Sequence, residues 1–248
     1  MLKLTALLAA VSVTAFAAQA GTIVTYNVEG DAYEGYMAEP TRESKGLVIL
    51  IHDWDGLDGY EKTRAEMLAD EGYHAFAVDL YGKDNRPDTT EGKKAMVGKL
   101  YSNREMMRTR ILGSLKQARK MSEQTDAIVM GYCFGGGATL DLARSGDAED
   151  VVGYSTFHGS LDTPEGQSYE GVTTPIQILH GGADTGIPNS LAATLADELE
   201  ASGTPYQLEI YSGAPHAWTV FGSSRYRPEA DAQSWDAFLT FTSDVLSD

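Results

Sequence analysis

Short aliphatic runs alternate with helix-forming stretches along the chain, and this alternation limits the possible folds more than any other sequence feature. The run at 46–52, GLVILIH, is continuously apolar, as in a strand that is buried on both faces of a sheet. Further strands are predicted at 74–80, 127–131, 151–157, 175–180 and 206–211, and helices at 60–70, 90–100, 103–121, 135–143, 190–201 and 230–245. A turn at 29–31 joins 22–28 to 32–38 as an antiparallel hairpin. The order predicts an α/β fold with a mostly parallel central sheet, helices on both faces and ligands at the carboxyl ends of the strands.

The first twenty residues have the features of a cleaved signal peptide. Lys3 precedes an apolar run from Leu4 to Ala18, and Ala18-Gln19-Ala20 supplies the small residues of a signal-peptidase site. We therefore expect residues 1–20 to be removed and residues 21–248 to form one exported domain, periplasmic or secreted. No later segment reaches the roughly 20 apolar residues of a transmembrane helix, so no membrane insertion is expected after cleavage. An uncleaved amphipathic or buried helix is the alternative.

The charge balance narrows the range of partners. The chain has a formal net charge of -17 at pH 7. Nucleic acids and anionic membrane surfaces are bound through Lys and Arg, so neither is expected as a partner. The excess of Asp and Glu is also explained by solubility alone. No sequence feature indicates an oligomeric state.

Cys133 is the only cysteine, so no intrachain disulfide can form. It stands in Gly131-Tyr132-Cys133-Phe134-Gly135, between a predicted buried strand and a predicted helix. This is the context of a nucleophile elbow, GxSxG, with sulfur in place of oxygen. The glycines are needed because the turn from strand to helix is tight, and the following helix dipole favours a thiolate. The alternative is a structural cysteine buried in a glycine turn.

An elbow of this kind requires an acid and then a histidine later in the chain. Of the five histidines, only His216 lies in a loop after the penultimate regular element. Among the acids between Cys133 and His216, Asp184 follows a buried strand and the Gly181-Gly182-Ala183 turn. Asp162 also follows a strand and is its main competitor. No HExxH or similar ligand spacing is present, which argues against a zinc site.

Several ordered motifs resemble the dienelactone hydrolase family, from about Tyr33 to the C-terminal helix. The blocks that carry the resemblance are Tyr33 to Tyr36, His52 to Gly56, Ala77 to Gly82, Gly131 to Gly136, His180 to Pro188 and Gly213 to Trp218. The resemblance implies an α/β-hydrolase fold and a catalytic triad of Cys133, Asp184 and His216. It also implies an oxyanion hole formed by the backbone N–H groups of Trp54 and Phe134.

The chain departs from the family pattern at two places. Asp53 stands where the family usually has a glutamate that interacts with the resting thiol and helps to generate the thiolate when substrate binds. The family's substrate-anchoring arginines are replaced by Lys83 and Val220. Arg225 and Arg227 lie nearby in sequence and are candidates to compensate, although surface arginines are the simpler interpretation.

These features predict a hydrolase that cleaves a small ester or lactone through a thioester intermediate, with no metal or organic cofactor. Because arginine binds carboxylates better than lysine does, neutral substrates are expected, with Trp54, Tyr81 and Trp218 as apolar walls. Two alternatives stay open. One is an exported binding protein that keeps the fold without turnover, and the other is a thiol peptidase or acyltransferase.

Overall fold

The computed structural model describes residues 20–247 of the chain. The predicted signal segment, apart from Ala20, lies outside these residues. Within the described part of the chain, no helix is both long enough and apolar enough to cross a membrane.

Eight strands and six helices occupy residues 20–247. The strands are β1 (Thr22–Val28), β2 (Asp31–Ala38), β3 (Leu47–Ile51), β4 (His74–Val78), β5 (Ala127–Tyr132), β6 (Val151–Phe157), β7 (Ile176–Gly181) and β8 (Tyr206–Tyr211). The helices are α1 (Gly59–Glu71), α2 (Thr90–Tyr101), α3 (Arg104–Ser122), α4 (Phe134–Ser145), α5 (Asn189–Ser202) and α6 (Pro228–Val245).

All eight strands form one sheet in the order β1-β2-β4-β3-β5-β6-β7-β8. The β1–β2 and β2–β4 pairs are antiparallel, and every other pair is parallel. The predicted α/β fold with an N-terminal antiparallel hairpin is therefore confirmed. The carboxyl ends of β5, β6, β7 and β8 lie along one edge of the sheet, where loops can bring distant residues together.

The sheet has a hydrophobic core on each face, which explains the unbroken aliphatic run of β3. Leu47, Ile49 and Ile51 contribute to one core, and Val48 and Leu50 contribute to the other. Helices α3, α4 and α5 pack on the first face, and α1 and α6 pack on the second. A strand between two cores needs apolar side chains at every position, whereas a strand with one wet face would alternate.

One difference from the predicted boundaries is at the end of β4, which stops at Val78 and not at Leu80. The cause is the fully buried Asp79. Its Oδ1 accepts hydrogen bonds from the N–H groups of Tyr81, at 2.9 Å, and Gly82, at 3.0 Å. This local side-chain bonding competes with the sheet ladder and turns the chain.

Candidate active site

Cys133 lies in a sharp turn between β5 and α4. Its backbone has φ 52° and ψ -112°, a left-handed φ that non-glycine residues rarely adopt. A Cβ added to Gly131 would collide with the Gly135 carbonyl, and one added to Gly135 would collide with the backbone of Ile51 and His52. The two glycines flanking the turn are therefore required sterically, as the elbow motif predicts.

The structure brings Cys133, His216 and Asp184 together at the carboxyl edge of the sheet. His216 Nε2 is 3.1 Å from Cys133 Sγ, and His216 Nδ1 is 2.7 Å from Asp184 Oδ2. The other oxygen, Asp184 Oδ1, accepts the N–H groups of Gly186 at 2.8 Å and Ile187 at 2.9 Å. The carboxylate is thus fixed on both sides, and it fixes the His216 ring with Nε2 toward the sulfur.

Asp184 and His216 each stabilise the charged form of the other. Burial raises the pKa of Asp184, but the hydrogen bonds from His216 and from the backbone outweigh it, and the pKa is lowered overall. For His216, burial lowers the pKa, but the hydrogen bonds with Asp184 and Cys133 raise it to about 10. An imidazolium between a carboxylate and a sulfur is therefore electrostatically favoured, and it would stabilise a thiolate beside it.

Asp162, the competing acid, lies elsewhere. Its side chain is exposed, and among residues 20–247 no hydrogen bond joins it to His216. Of the two candidate acids, Asp184 is the one that contacts His216.

The two predicted oxyanion donors are positioned by different elements. Phe134 is the first residue of α4, so its N–H has no partner within the helix. Trp54 lies in the loop after β3. Across the described residues, neither N–H makes a hydrogen bond within the protein. Both donors are consequently available to a substrate oxygen.

Hydrogen bonds from buried side chains hold the Trp54 loop. Tyr81 Oη donates to the Trp54 carbonyl at 2.9 Å, and His52 Nδ1 donates to the Asp53 carbonyl at 2.6 Å. The Leu80 N–H donates to His52 Nε2 at 3.2 Å, which requires a neutral ring. Burial agrees with this assignment, because it lowers the pKa of His52 to about 4. His52 and Tyr81 therefore support the loop from behind.

Asp53 is buried and turns toward its own loop. Its Oδ1 accepts the Asp55 N–H at 2.7 Å, and within the described chain no hydrogen bond joins Asp53 to Cys133. Burial, together with the charges of Asp55 and Asp58, raises the pKa of Asp53 to about 7. In this conformation the shorter acid leaves Cys133 paired with His216.

A mainly apolar cavity of about 300 Å³ opens beside Cys133. It is lined by Trp54, Lys94, Val97, Gly98, Tyr101, Cys133, Phe134 and Ser160. Four of these residues belong to α2, which covers the site from one side. Its volume is at the lower end of the roughly 300–1000 Å³ that is usual for small-molecule sites.

Two of the expected apolar walls are absent from this cavity. Trp218 is fully buried, with its ring 5.0 Å from that of His158, and it packs behind the site. Tyr81 is also buried, with its hydroxyl bonded to Trp54. Core packing uses both rings, so neither lines this cavity, and their contact with substrate stays a prediction. Trp54 does line the cavity, as predicted.

The predicted cationic anchors also lie away from the cavity. Lys83 pairs with Glu34 at 3.8 Å, and Arg227 donates to the carbonyls of Ser224 and Tyr226 at 3.2 and 3.0 Å. Arg225 is exposed to solvent. The described lining of the cavity beside Cys133 includes none of these three cations, so compensation for the missing arginines by Arg225 and Arg227 stays a prediction.

Sequence reasoning missed His158 and the α2 residues. His158 directly follows β6, the strand next to β5, and its Nδ1 accepts the Cys133 N–H with an N···N distance of 3.2 Å. Its place after a parallel strand was a signal that could have found it. Lys94, Val97 and Gly98 had no such signal, because a helix sequence does not show which side will cover a cavity.

Comparison with known proteins identifies the family. The model of the dienelactone hydrolase family matches residues 33–246. A Bradyrhizobium sp protein named probable 2-oxo-3-(5-oxofuran-2-ylidene)propanoate lactonase is 25% identical over 235 residues, covering 88% of this chain and 92% of that protein. An Aquifex aeolicus protein provisionally named carboxymethylenebutenolidase is 24% identical, covering 89% and 97%.

A solved structure of similar fold is a dienelactone hydrolase-like promiscuous phosphotriesterase from metagenomic libraries. The TM-score is 0.82 at 23% identity, with 92% of this chain and 99% of that chain covered. At this identity the likeness shows the fold alone. Since the family model spans most of the chain, the protein is a hydrolase that belongs to the dienelactone hydrolase family.

Proposed function

We propose that the protein hydrolyses small carboxylic esters or lactones, with Cys133 as nucleophile, His216 as base and Asp184 as the acid that orients His216. One observation carries the proposal: the continuous contact from Asp184 Oδ2 through His216 to Cys133 Sγ, at 2.7 and 3.1 Å. It lies beside a cavity and two backbone donors without partners in the described chain. These are the parts that acyl transfer requires.

In the first half-reaction, the Cys133 proton is already on His216 Nε2, and the sulfur attacks the carbonyl carbon. The carbonyl oxygen becomes an anion, which the Trp54 and Phe134 N–H groups stabilise. When this intermediate collapses, the bond to the leaving oxygen breaks and His216 returns its proton to that oxygen. The acyl group is then bound to Cys133 as a thioester.

In the second half-reaction, His216 removes a proton from water, and the oxygen attacks the thioester carbonyl. The carbon–sulfur bond breaks, the acid leaves, and the proton taken from water stays on His216 beside the sulfur. Asp184 holds the ring in one tautomer and stabilises its charged form in both halves. For a lactone, the leaving hydroxyl stays attached to the product.

The cavity favours a small substrate with an apolar acyl group. Its walls are mainly aromatic or aliphatic, and among the residues that the structure describes Lys94 is the only cationic side chain that lines it. Lys94 is exposed, so its charge is largely screened by solvent. A bidentate arginine would bind a carboxylate more strongly than this single ammonium does. Neutral esters should therefore be preferred to carboxylate-bearing ones.

Steady-state assays with p-nitrophenyl esters test the proposal. The assays compare neutral acetate and butyrate esters with an analogue that has a terminal carboxylate. A neutral ester should give the largest kcat/KM. Reactions that are quenched during turnover should contain protein that carries one acyl group. Binding without turnover would favour a non-catalytic binding protein. Turnover only of peptides, or only with an added acyl acceptor, would favour a peptidase or an acyltransferase.

A further inference from the structure

His158 lies between the nucleophile and the loop that carries His216. It is fully buried at the end of β6. The Cys133 N–H is shared between the Phe157 carbonyl, at 3.0 Å, and His158 Nδ1, at 3.2 Å. The His158 ring is therefore attached directly to the backbone of the strained elbow residue.

The other side of the ring contacts the His216 loop. His158 Nε2 is 2.9 Å from Thr219 Oγ1, and the His158 and His216 rings meet edge to face with centroids 5.2 Å apart. Trp218 packs against the same ring at 5.0 Å. One side chain thus touches the elbow, the proposed base and the segment that follows the base.

The hydrogen bonds define the state of the ring. Since Nδ1 accepts the Cys133 N–H, the proton must be on Nε2, from where it is donated to Thr219 Oγ1. Burial keeps the ring neutral, because it lowers the pKa of His158 far below its ordinary value, and the nearby His216 lowers it further. A second proton on Nδ1 would face the Cys133 N–H.

The backbone is also constrained at this junction. Of the seven non-glycine residues with positive φ in the described chain, three are Cys133 (52°), His158 (42°) and Ala217 (62°). Such conformations cost about 1–3 kcal/mol each and persist only where surrounding contacts enforce them. Hydrogen bonds through His158 and Thr219 are contacts of this kind.

Thr219 is itself anchored from the far side. Its carbonyl accepts a hydrogen bond from the buried Arg64 at 2.9 Å, and its hydroxyl is 2.6 Å from Tyr60 Oη. Arg64 forms a buried ion pair with Asp231 of α6. Arg64 of α1, held by Asp231 of α6, thereby fixes the backbone of Thr219 through its carbonyl, whereas the Tyr60 hydroxyl contacts only the Thr219 side chain.

We propose that His158 and Thr219 are positioning residues that set the distance between Cys133 and His216. The Cys133 N–H···Nδ1 and Nε2–H···Oγ1 hydrogen bonds connect the elbow to the His216 loop across a single rigid ring. Neither residue touches substrate in this role. The inference rests on the proposed function, because the distance matters only if His216 activates Cys133.

Three variants test the connection. Thr219→Val removes the hydroxyl that pairs with His158, and Thr219→Ser keeps it. Tyr60→Phe keeps the Thr219 hydroxyl and removes the Tyr60 hydroxyl that contacts it from the far side. We expect Thr219→Val to lower kcat about ten- to hundredfold with KM within about twofold, since small misplacements of reacting groups have effects of this size. It should also slow iodoacetamide alkylation of Cys133 at neutral pH. Thr219→Ser and Tyr60→Phe should stay within about twofold in both measurements.

His158→Asn provides an independent arm if Thr219→Val folds poorly. The Asn oxygen can still accept the Cys133 N–H, but the shorter side chain cannot reach Thr219, so the same losses are expected. Thermal unfolding is recorded for every variant.

If Thr219→Val or His158→Asn lowers Tm but leaves kcat and the alkylation profile unchanged, the proposal is overturned and the role is structural. Equal losses in Thr219→Ser and Thr219→Val would also overturn it. Alkylation measures the Cys133–His216 contact without any substrate. If the protein is not an esterase, the alkylation rates of the variants therefore still test the positioning role of His158 and Thr219.

Discussion

The Nε2 atom of His216 lies 3.1 Å from the Sγ atom of Cys133, although 83 positions separate them in the chain. Parallel strands explain this proximity. Cys133 follows β5 and His216 follows β8, and the carboxyl ends of both strands lie at the same edge of one sheet. The contact therefore results from strand order and loop placement, and the roles assigned to it can be tested directly.

Removal of either partner should abolish most activity without unfolding the protein. Cys133→Ala and His216→Ala should each lower kcat about a thousandfold or more, because loss of one member of such a group disables the rest. Asp184→Asn should also be severe, since the amide would favour the wrong His216 tautomer. Steady-state kinetics with a neutral p-nitrophenyl ester measures these effects.

The matched control for the acid is Asp162→Asn. Asp162 is exposed and makes no contact with His216 in the described chain, so its substitution should change kcat by less than about twofold. A crippled Asp162→Asn beside a mild Asp184→Asn would show that the acid has been assigned wrongly.

Alkylation of Cys133 should be fast at slightly acid pH. The folded state raises the pKa of His216 to about 10, so the imidazolium persists at neutral pH and is lost only as the pH rises toward that value. A cation 3.1 Å from the sulfur favours the thiolate, which is the form that reacts. Iodoacetamide should therefore label the wild type at pH 6 faster than His216→Asn, which lacks this cation. Intact-mass kinetics is unambiguous because Cys133 is the only cysteine, and equal rates at pH 6 would refute the ion pair.

Much of this architecture could be predicted because it depends on local patterns. The unbroken run of β3 indicates a strand between two cores, and the Gly131 to Gly135 spacing indicates a turn that excludes side chains. Chain order then directs attention to His216 and Asp184. Each of these inferences uses one short segment and a general rule of parallel sheets.

The rest depends on tertiary contacts that no segment encodes alone. Trp218 adjoins the His216 loop in sequence and was expected to contact substrate, yet it packs behind His158. Lys83 stands where the family has a substrate-anchoring arginine, yet its partner is Glu34 from a neighbouring strand. In both cases proximity to the site in sequence does not place the side chain in the cavity.

Export gives a prediction for residues outside the described part of the chain. Lys3, the apolar run and Ala18-Gln19-Ala20 should direct secretion and cleavage, so the mature protein should begin at or next to Gly21. Intact-mass measurement of protein from the native host locates the terminus. Retention of Met1 on the mature protein would contradict this proposal.

Asp53 should make stability fall as the pH rises. The pKa of Asp53 is about 7 in the folded state and about 3.9 in an unfolded chain, so the folded state binds the proton more tightly. The free energy of unfolding should therefore fall as the pH rises from about 4 to 7, where the unfolded chain has already lost the proton. Asp53→Asn cannot ionise but keeps an oxygen for the Asp55 N–H. The variant should match the wild type near pH 4 and exceed its free energy of unfolding at pH 8, as measured by urea titration. Asp88→Asn, at an exposed site, is the control, and a pH-independent difference for Asp53→Asn would count against the assignment.

The cavity beside Cys133 should set the upper size of the acyl group, and Gly98 offers a way to test this. A Cβ added there meets nothing within 4 Å, so a larger side chain can project into the cavity without displacing the fold. Replacing glycine also favours helix α2 by about 0.8–1.0 kcal/mol at most. Gly98→Leu should lower kcat/KM for p-nitrophenyl hexanoate about tenfold or more, the discrimination expected when a methylene no longer fits, while p-nitrophenyl acetate changes little. Ala95→Leu is the control, because it places the same side chain at an exposed position of α2 outside the cavity. An equal loss for both esters in Gly98→Leu, or the same selectivity change in Ala95→Leu, would show that the acyl group binds elsewhere.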